Sequence, residues 1–123
     1  MRKHPAFRRL TMGSVTVIEL TEEDLIRKVG EREGEFAVLV YTPLCGTCKL
    51  ALRMFGIVSE AIPGMAVYQC NINFAPMAVR TWNLTTVPSV LLFNEGQLID
   101  RLNRIQSVDA LFRFFKRETN GDT

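Results

Sequence analysis

The apolar positions of this chain switch between two periods, and the switches mark its elements. Ser14-Val15-Thr16-Val17-Ile18-Glu19-Leu20 partly alternates and is rich in β-branched residues, which predicts a first strand. Thr21 then opens a short helix. Asp24 stands three residues on, where a capping-box acid would sit, and Leu25, Ile26 and Val29 give an apolar side. Gly30 or Gly34 ends that helix. Phe36-Ala37-Val38-Leu39-Val40-Tyr41 is an apolar run, the pattern of a central strand covered on both faces. Beyond residue 48 the period becomes helical. Ala51, Phe55, Val58 and Ile62 fall at core spacing, and Leu50, Met54, Ile57 and Ala61 form a second row beside them. Such a helix is expected to bury more than one side, until Pro63-Gly64 stops it.

Met65-Ala66-Val67-Tyr68-Gln69-Cys70-Asn71-Ile72 reads as the next strand. Pro76 suits the first turn of a helix running through about Trp82. Ser89–Phe93 and Gln97–Leu102 flank Asn94-Glu95-Gly96, a hairpin signal. Ser107 caps a last helix on which Val108, Leu111, Phe112 and Phe115 share a face. The order β α β α β α β β α implies an α/β architecture, a mixed sheet with helices on both faces. There is no internal repeat and no low-complexity linker.

Length and charge narrow the class. The 123 residues suffice for one domain with its own core, and 47% hydrophobic with 23% charged is ordinary globular composition. No apolar run has membrane-spanning length. Arg2, Lys3, Arg8 and Arg9 make a basic start without a following apolar stretch, which argues against a secretory signal. Residues 1–13 are therefore read as a flexible basic extension, with Met12 an alternative start, 14–118 as the domain and 119–123 as a polar tail. The net charge is +2, so without those four cations the remainder carries −2, which speaks against nucleic acid as a partner. Three cysteines do not make a disulfide-dense secreted scaffold and fit a reducing cytoplasm.

Two of those cysteines carry the chemistry. Cys45-Gly46-Thr47-Cys48 lies between the apolar strand and the helix that follows. At this spacing both sulfurs lie on one side of a first helical turn, near enough to bond. The helix N-terminus carries partial positive charge, which favours a thiolate there. A zinc half-site uses the same spacing, but four-ligand zinc would need two more ligands, and only Cys70 and His4 remain.

Cys45-Gly46-Thr47-Cys48-Lys49 early, Val87-Pro88-Ser89 after the third helix, and the order of elements closely resemble the thioredoxin family over roughly residues 14–118. The resemblance implies a thioredoxin-like three-layer fold with a cis bond between Val87 and Pro88 beside the dithiol. It implies that the backbone of Val87 pairs with a substrate chain as an extra strand. Cys45 would be the nucleophile that forms a mixed disulfide, and Cys48 the resolving thiol. Gly46 would let the loop turn tightly and leave room for a partner backbone. The function implied is reduction or exchange of protein disulfides by a cytoplasmic monomer. It would need no metal or organic cofactor, and a reductase or small thiol would supply electrons. A non-catalytic binding or redox-sensing module on the same fold is the competing reading.

Three departures from the family pattern matter. Leu44 stands where the family usually has Trp, and Thr47 where it usually has Pro. Threonine keeps a backbone N–H that proline lacks, a donor favouring the Cys45 thiolate and a more oxidising pair. Leu39 and Gln69 replace the family's buried Asp and its Lys partner, so Cys48 is expected to resolve slowly. Among the remaining residues, Cys70 is expected to pack as a small hydrophobe, Trp82 to lie in the core, and Lys49 to point to water. Phe114 is expected to be partly exposed. Leu44 and Tyr41 are candidates for the rim of a substrate groove, Tyr41 equally for the core. His4 is not expected to be catalytic.

Overall fold

The structure, a computed structural model, describes residues 9–12, 15–62 and 64–120. Its strands are β1 (Arg9–Met12), β2 (Val15–Glu19), β3 (Glu35–Tyr41), β4 (Ala66–Asn71), β5 (Ser89–Asn94) and β6 (Gln97–Leu102). Its helices are α1 (Glu22–Gly30), α2 (Gly46–Ala61), α3 (Pro76–Trp82) and α4 (Val108–Asn120), with a short 3₁₀ turn at Ile72–Phe74. The strands form one mixed sheet in the order β1-β2-β4-β3-β5-β6. β3 runs parallel to β4 and antiparallel to β5, so it lies at the centre. That position explains its unbroken apolar run: Phe36 through Val40 are all buried, with successive side chains directed to opposite faces.

Each face of the sheet has its own core. Ala37, Leu39, Val90 and Leu92 pack with Ala51, Phe55 and Val58 of α2 and with Leu111, Phe114 and Phe115 of α4. On the other side Phe36, Val38, Val40, Cys70, Leu91 and Phe93 meet Leu25 of α1 and Ala78 of α3. The result is the expected three-layer α/β arrangement. Burying an aliphatic or aromatic side chain this completely stabilises the fold by about 1.5–3 kcal/mol each, so the sheet is well anchored under α2.

Local signals act where the residues place them. Thr21 caps α1, its hydroxyl accepting from the Asp24 N–H at 3.0 Å. Ser107 caps α4 the same way through the Ala110 N–H, also at 3.0 Å. The β5–β6 hairpin turns through Glu95 and Gly96, both at positive φ (53° and 82°). A Cβ on Gly96 would lie 2.9 Å from the Val29 carbonyl oxygen, so glycine is needed there for space as well as for φ. α2 ends before Ile62, whose φ of −125° and ψ of 82° are extended; it precedes Pro63, and the residue before proline avoids the helical region.

Several expectations are corrected. Within the 1–13 segment read as a flexible extension, Arg9–Met12 forms β1, antiparallel to β2 with Arg9 opposite Ile18 and Met12 opposite Val15. Charge composition pointed to solvent, but β2 would otherwise present an open row of backbone donors and acceptors. At the other end α4 runs to Asn120, into the segment read as a tail. Arg2, Lys3, His4, Arg8, Ser14, Pro63 and the last residues, 121–123, lie outside the described residues.

Of the second row on α2, only Met54 is buried. Leu50 and Ile57 are 56% and 47% exposed and Ala61 is exposed, because a single sheet face and α4 cover one side of the helix. On α4 the buried residues are Leu111, Phe114 and Phe115, at i, i+3 and i+4. Phe114 is therefore core, stacked at a tilt 5.6 Å from Phe115, while Val108 sits at the exposed edge.

Candidate active site

The dithiol sits where β3 hands the chain to α2. Cys45 is the N-cap residue of α2, with extended φ and ψ (−100°, 120°) and no side-chain capping bond of its own. Its N–H donates to the Thr42 carbonyl at 3.2 Å, and its carbonyl accepts from the Cys48 N–H at 3.2 Å. The free N–H groups of a helix's first turn point toward the N-cap side chain. Here that side chain is a sulfur.

Cys45 and Cys48 are free thiols in very different surroundings. The Thr47 Oγ1 atom lies 3.0 Å from Cys45 Sγ, a side-chain hydrogen bond. Thr47's hydroxyl first, then the Cys48 thiol and the Cys48 and Thr47 backbone donors, hold the Cys45 pKa below the ordinary thiol value of 9.0. Cys48 is 1% exposed. Burial, followed by the bond to Cys45 and that residue's developing charge, pushes its pKa up to about 11. One sulfur is thus accessible and readily ionised, and its neighbour is a buried reserve of protons.

The hydroxyl of Thr47 is more direct than its backbone N–H, the donor expected from the sequence alone. Gly46 differs from expectation too. It is the first residue of α2, its φ is not positive, and a Cβ there would meet nothing within 4 Å. Neither the turn nor packing within this chain requires glycine at 46.

The remaining site residues gather at the same end of the sheet. The Val87–Pro88 peptide bond is cis, and both residues are half-buried. Pro88 directly precedes β5, where Ser89 lies opposite Val40, so the register carries Pro88 to the level of Tyr41 at the dithiol end of β3. The loop leading there is braced twice. Arg101 of β6 donates to the Trp82 and Asn83 carbonyls at 2.6 and 3.2 Å, and Ser89 Oγ donates to the Thr86 carbonyl at 2.9 Å. Trp82 itself packs edge-on against Phe93, in the core. Leu44 is 92% exposed beside Cys45, and Lys49 points to water.

Tyr41 is half-buried and faces inward along the sheet. Its hydroxyl donates to the Glu19 carboxylate, 2.9 Å from each oxygen, and burial and that bond raise its pKa far above the usual phenol value. The Gln69 side chain donates to the same carboxylate at 2.7 Å. Glu19 was not singled out by its sequence context. The parallel register Glu19–Gln69–Leu39 shows why it matters: it is the carboxylate of the row that passes under α2, displaced to β2 and held by two donors. Leu39, at the centre of that row, is fully buried.

Phe74 and Met77 were also not legible as site residues. They are 75% and 52% exposed, and the Asn73 side chain ties their segment to Thr42 at the root of the dithiol loop, 2.9 Å from Nδ2 to Oγ1. Phe74 ends a three-residue 3₁₀ turn and Met77 lies in the first turn of the short α3, stretches too brief for a periodic pattern to reveal them. Cys70 lies on the opposite face of the sheet from α2, 1% exposed, with burial first and then Glu19 and Glu22 pushing its pKa up to about 12. It packs as a small hydrophobe, away from the dithiol. Among the described residues no three His, Cys, Asp or Glu side chains are grouped to hold a metal ion.

This geometry agrees with what the chain is similar to. Residues 16–117 match the family model for thioredoxin. The thioredoxin-like protein YusE of Bacillus subtilis is 35% identical over 85 residues, 69% of this chain and 80% of that one. Thioredoxin-3 of Saccharomyces cerevisiae mitochondria is 21% identical over 94 residues, 76% of this chain and 74% of that one. Among solved structures, one describing the thiol resolving mechanism in yeast mitochondrial 1-Cys peroxiredoxin via glutathione/thioredoxin systems contains a chain with the same fold. Its TM-score is 0.71 at 21% identity, covering 81% of this chain and 93% of that one. A mixed sheet between helical layers, a free dithiol at the start of α2 and a family match spanning nearly every element agree: this chain belongs to the thioredoxin family.

Proposed function

We propose that this chain is a thiol–disulfide oxidoreductase acting on protein disulfides, with Cys45 attacking and Cys48 resolving. The observation that carries the reading is the contrast between the two sulfurs: Cys45 is accessible, ionised readily and bonded by Thr47, and Cys48 is buried and protonated. The Cys45 thiolate attacks one sulfur of a substrate disulfide, and the other leaves as a thiolate. Cys48, once deprotonated, attacks Cys45 Sγ. The Cys45–Cys48 disulfide forms, the second substrate thiolate departs, and two electrons have passed to the substrate. A reductase or a small thiol returns the pair to the dithiol.

Val87 supplies backbone for an extended substrate segment beside Pro88, and Leu44, Tyr41 and Gly46 border that approach, Gly46 by leaving open space. No bound metal or organic cofactor takes part, and nucleic acid is not a partner. In this reading the protein works as a monomer in the cytoplasm.

The test is insulin-disulfide reduction with dithiothreitol, comparing the natural chain with Cys45→Ser. Loss of catalysis in the variant supports the reading. Equal rates refute it and favour a non-catalytic binding or redox-sensing module. Cys48→Ser, which cannot resolve, should accumulate covalent partners, identifiable as mixed disulfides at Cys45.

A further inference from the structure

The antiparallel register of the β5–β6 hairpin carries the end of β6 to the dithiol end of the sheet. Val90 lies opposite Leu102, and one pair further out Ser89 Oγ lies 3.2 Å from the Asn103 side-chain oxygen. One more step brings Arg104 level with Pro88, the two backbones about 5 Å apart at the usual strand spacing. The Val87–Pro88 loop is thus flanked on one side by the end of β3, which leads into the dithiol, and on the other by Arg104. Arg104 is exposed, and its guanidinium has no partner among the described residues.

Charge around the site is one-sided. Segments 42–49, 72–77, 83–88 and 103–107 follow or precede strand ends at the dithiol end of the sheet, and they hold two cations, Lys49 and Arg104, and no carboxylate. Even with Cys45 ionised these segments stay net positive, in a chain that carries −2 once its basic start is set aside. The carboxylates near Arg104 along the chain are engaged: Asp100 accepts from the Arg101 N–H, and Asp109 pairs with Arg113. Glu19, at the same end of the sheet, is held by Tyr41 and Gln69.

We propose that Arg104 is a specificity-determining residue that selects protein segments carrying a carboxylate close to the disulfide under attack. This rests on the exchange reaction proposed above and names its preferred substrates: disulfides flanked by Asp or Glu. A segment paired to the backbone of Val87 with its sulfur at Cys45 lies one strand spacing from Arg104, within reach of a long side chain. The guanidinium can take a carboxylate there through two parallel N–H bonds. Lys49, exposed on the first turn of α2, adds to the same field from the other side of the dithiol. A substrate segment rich in lysine meets two like charges and no acid to offset them.

Peptides that differ in charge alone read this directly. Each carries one cysteine joined by a disulfide to a neutral thiopyridyl group, with Glu, Gln or Lys two residues before and two residues after it, so that either direction of docking presents the charge. Reduced protein is added and thiopyridine release is followed by absorbance. Exposed opposite charges favour a contact by up to about fivefold, so the Glu peptide should react at least about twofold faster than the Gln peptide, with the Lys peptide slowest. At about 1 M salt, where screening acts within about 3 Å, the three rates should converge. Arg104→Ala should flatten the order, Arg104→Lys should keep it and Arg104→Glu should invert it, while alkylation of Cys45 by neutral iodoacetamide stays unchanged in all three. Equal rates for the three peptides with the natural chain refute the inference and leave the oxidoreductase reading standing. So does an Arg104→Ala variant that keeps the charge order, or one that slows every peptide alike, because that is a loss of thiol reactivity or folding and not of selection. If the natural chain releases thiopyridine no faster than Cys45→Ser, the exchange reading itself is what fails.

Discussion

Replacing Leu39 with aspartate separates the cost of burying an acid from the benefit that the family's buried aspartate at this position implies for Cys48. Leu39 has no exposed surface and lies between Gln69 and Val90 beneath α2. Removing its burial costs about 1.5–3 kcal/mol. A polar group incompletely bonded in its place adds about 1–3 kcal/mol. Gln69 already donates to Glu19 and bonds the Tyr41 hydroxyl, which leaves the new side chain without a ready donor, so the total should be about 3–5 kcal/mol, a large share of a domain's stability. Urea unfolding measures it.

The kinetic effect runs the other way. A thiol with a pKa of about 11 is ionised in about one molecule in ten thousand at pH 7. Capping Cys45 removes that residue's repulsion but leaves burial, the larger cause, in place. Resolution in the natural chain should therefore accelerate steadily as pH rises. A carboxylate at position 39, where the family keeps its buried aspartate, is expected to take the Cys48 proton, and positioned bases contribute about 10²–10⁴-fold. The assay charges Cys45 with thionitrobenzoate and follows release of the coloured thiolate. Leu39→Asp should resolve at least about tenfold faster than the natural chain at pH 7, with a flatter pH profile. Leu39→Asn, which carries no base, should share the instability and show no gain. An aspartate variant no faster than the asparagine variant would refute the reasoning that Cys48 lacks a proton acceptor.

Two further expectations concern the same thiols. Stabilising the Cys45 thiolate favours the dithiol over the disulfide, so equilibration with glutathione should give a reduction potential less negative than thioredoxin's value of about −270 mV; an equal or lower value counts against the role given to Thr47. The buried thiols begin the alkaline loss of stability of the reduced protein, and the raised Tyr41 phenol adds to it at higher pH. Cys48 and Cys70 are raised in the folded state to about 11 and 12, so folding holds their protons where the unfolded chain, near 9.0, has released them. Stability should fall as pH rises above about 9, by up to about 1.4 kcal/mol per pH unit for each fully differing thiol. Cys70→Ala should flatten that slope in thermal unfolding scans, and an unchanged slope would show that Cys70 is not the group responsible.

What the sequence alone determined is what depends on neighbours along the chain. Thr21 and Ser107 cap their helices because a hydroxyl reaches N–H groups three residues on. Residues 36–41 announce a central strand because both faces of such a strand need apolar side chains. Cys45 and Cys48 declare a dithiol because one helical turn brings their sulfurs together. Tertiary structure alone decided what depends on distant segments. Which row of α2 is buried depends on where α4 lies, so Leu50 and Ile57 face outward while Phe114 faces in. Arg9–Met12 becomes a strand because β2 offers an open edge, a need its basic neighbours do not encode. The pairing of Glu19 with Gln69 and Tyr41 joins three strands by register, and side-chain period within one strand carries no information about register between strands.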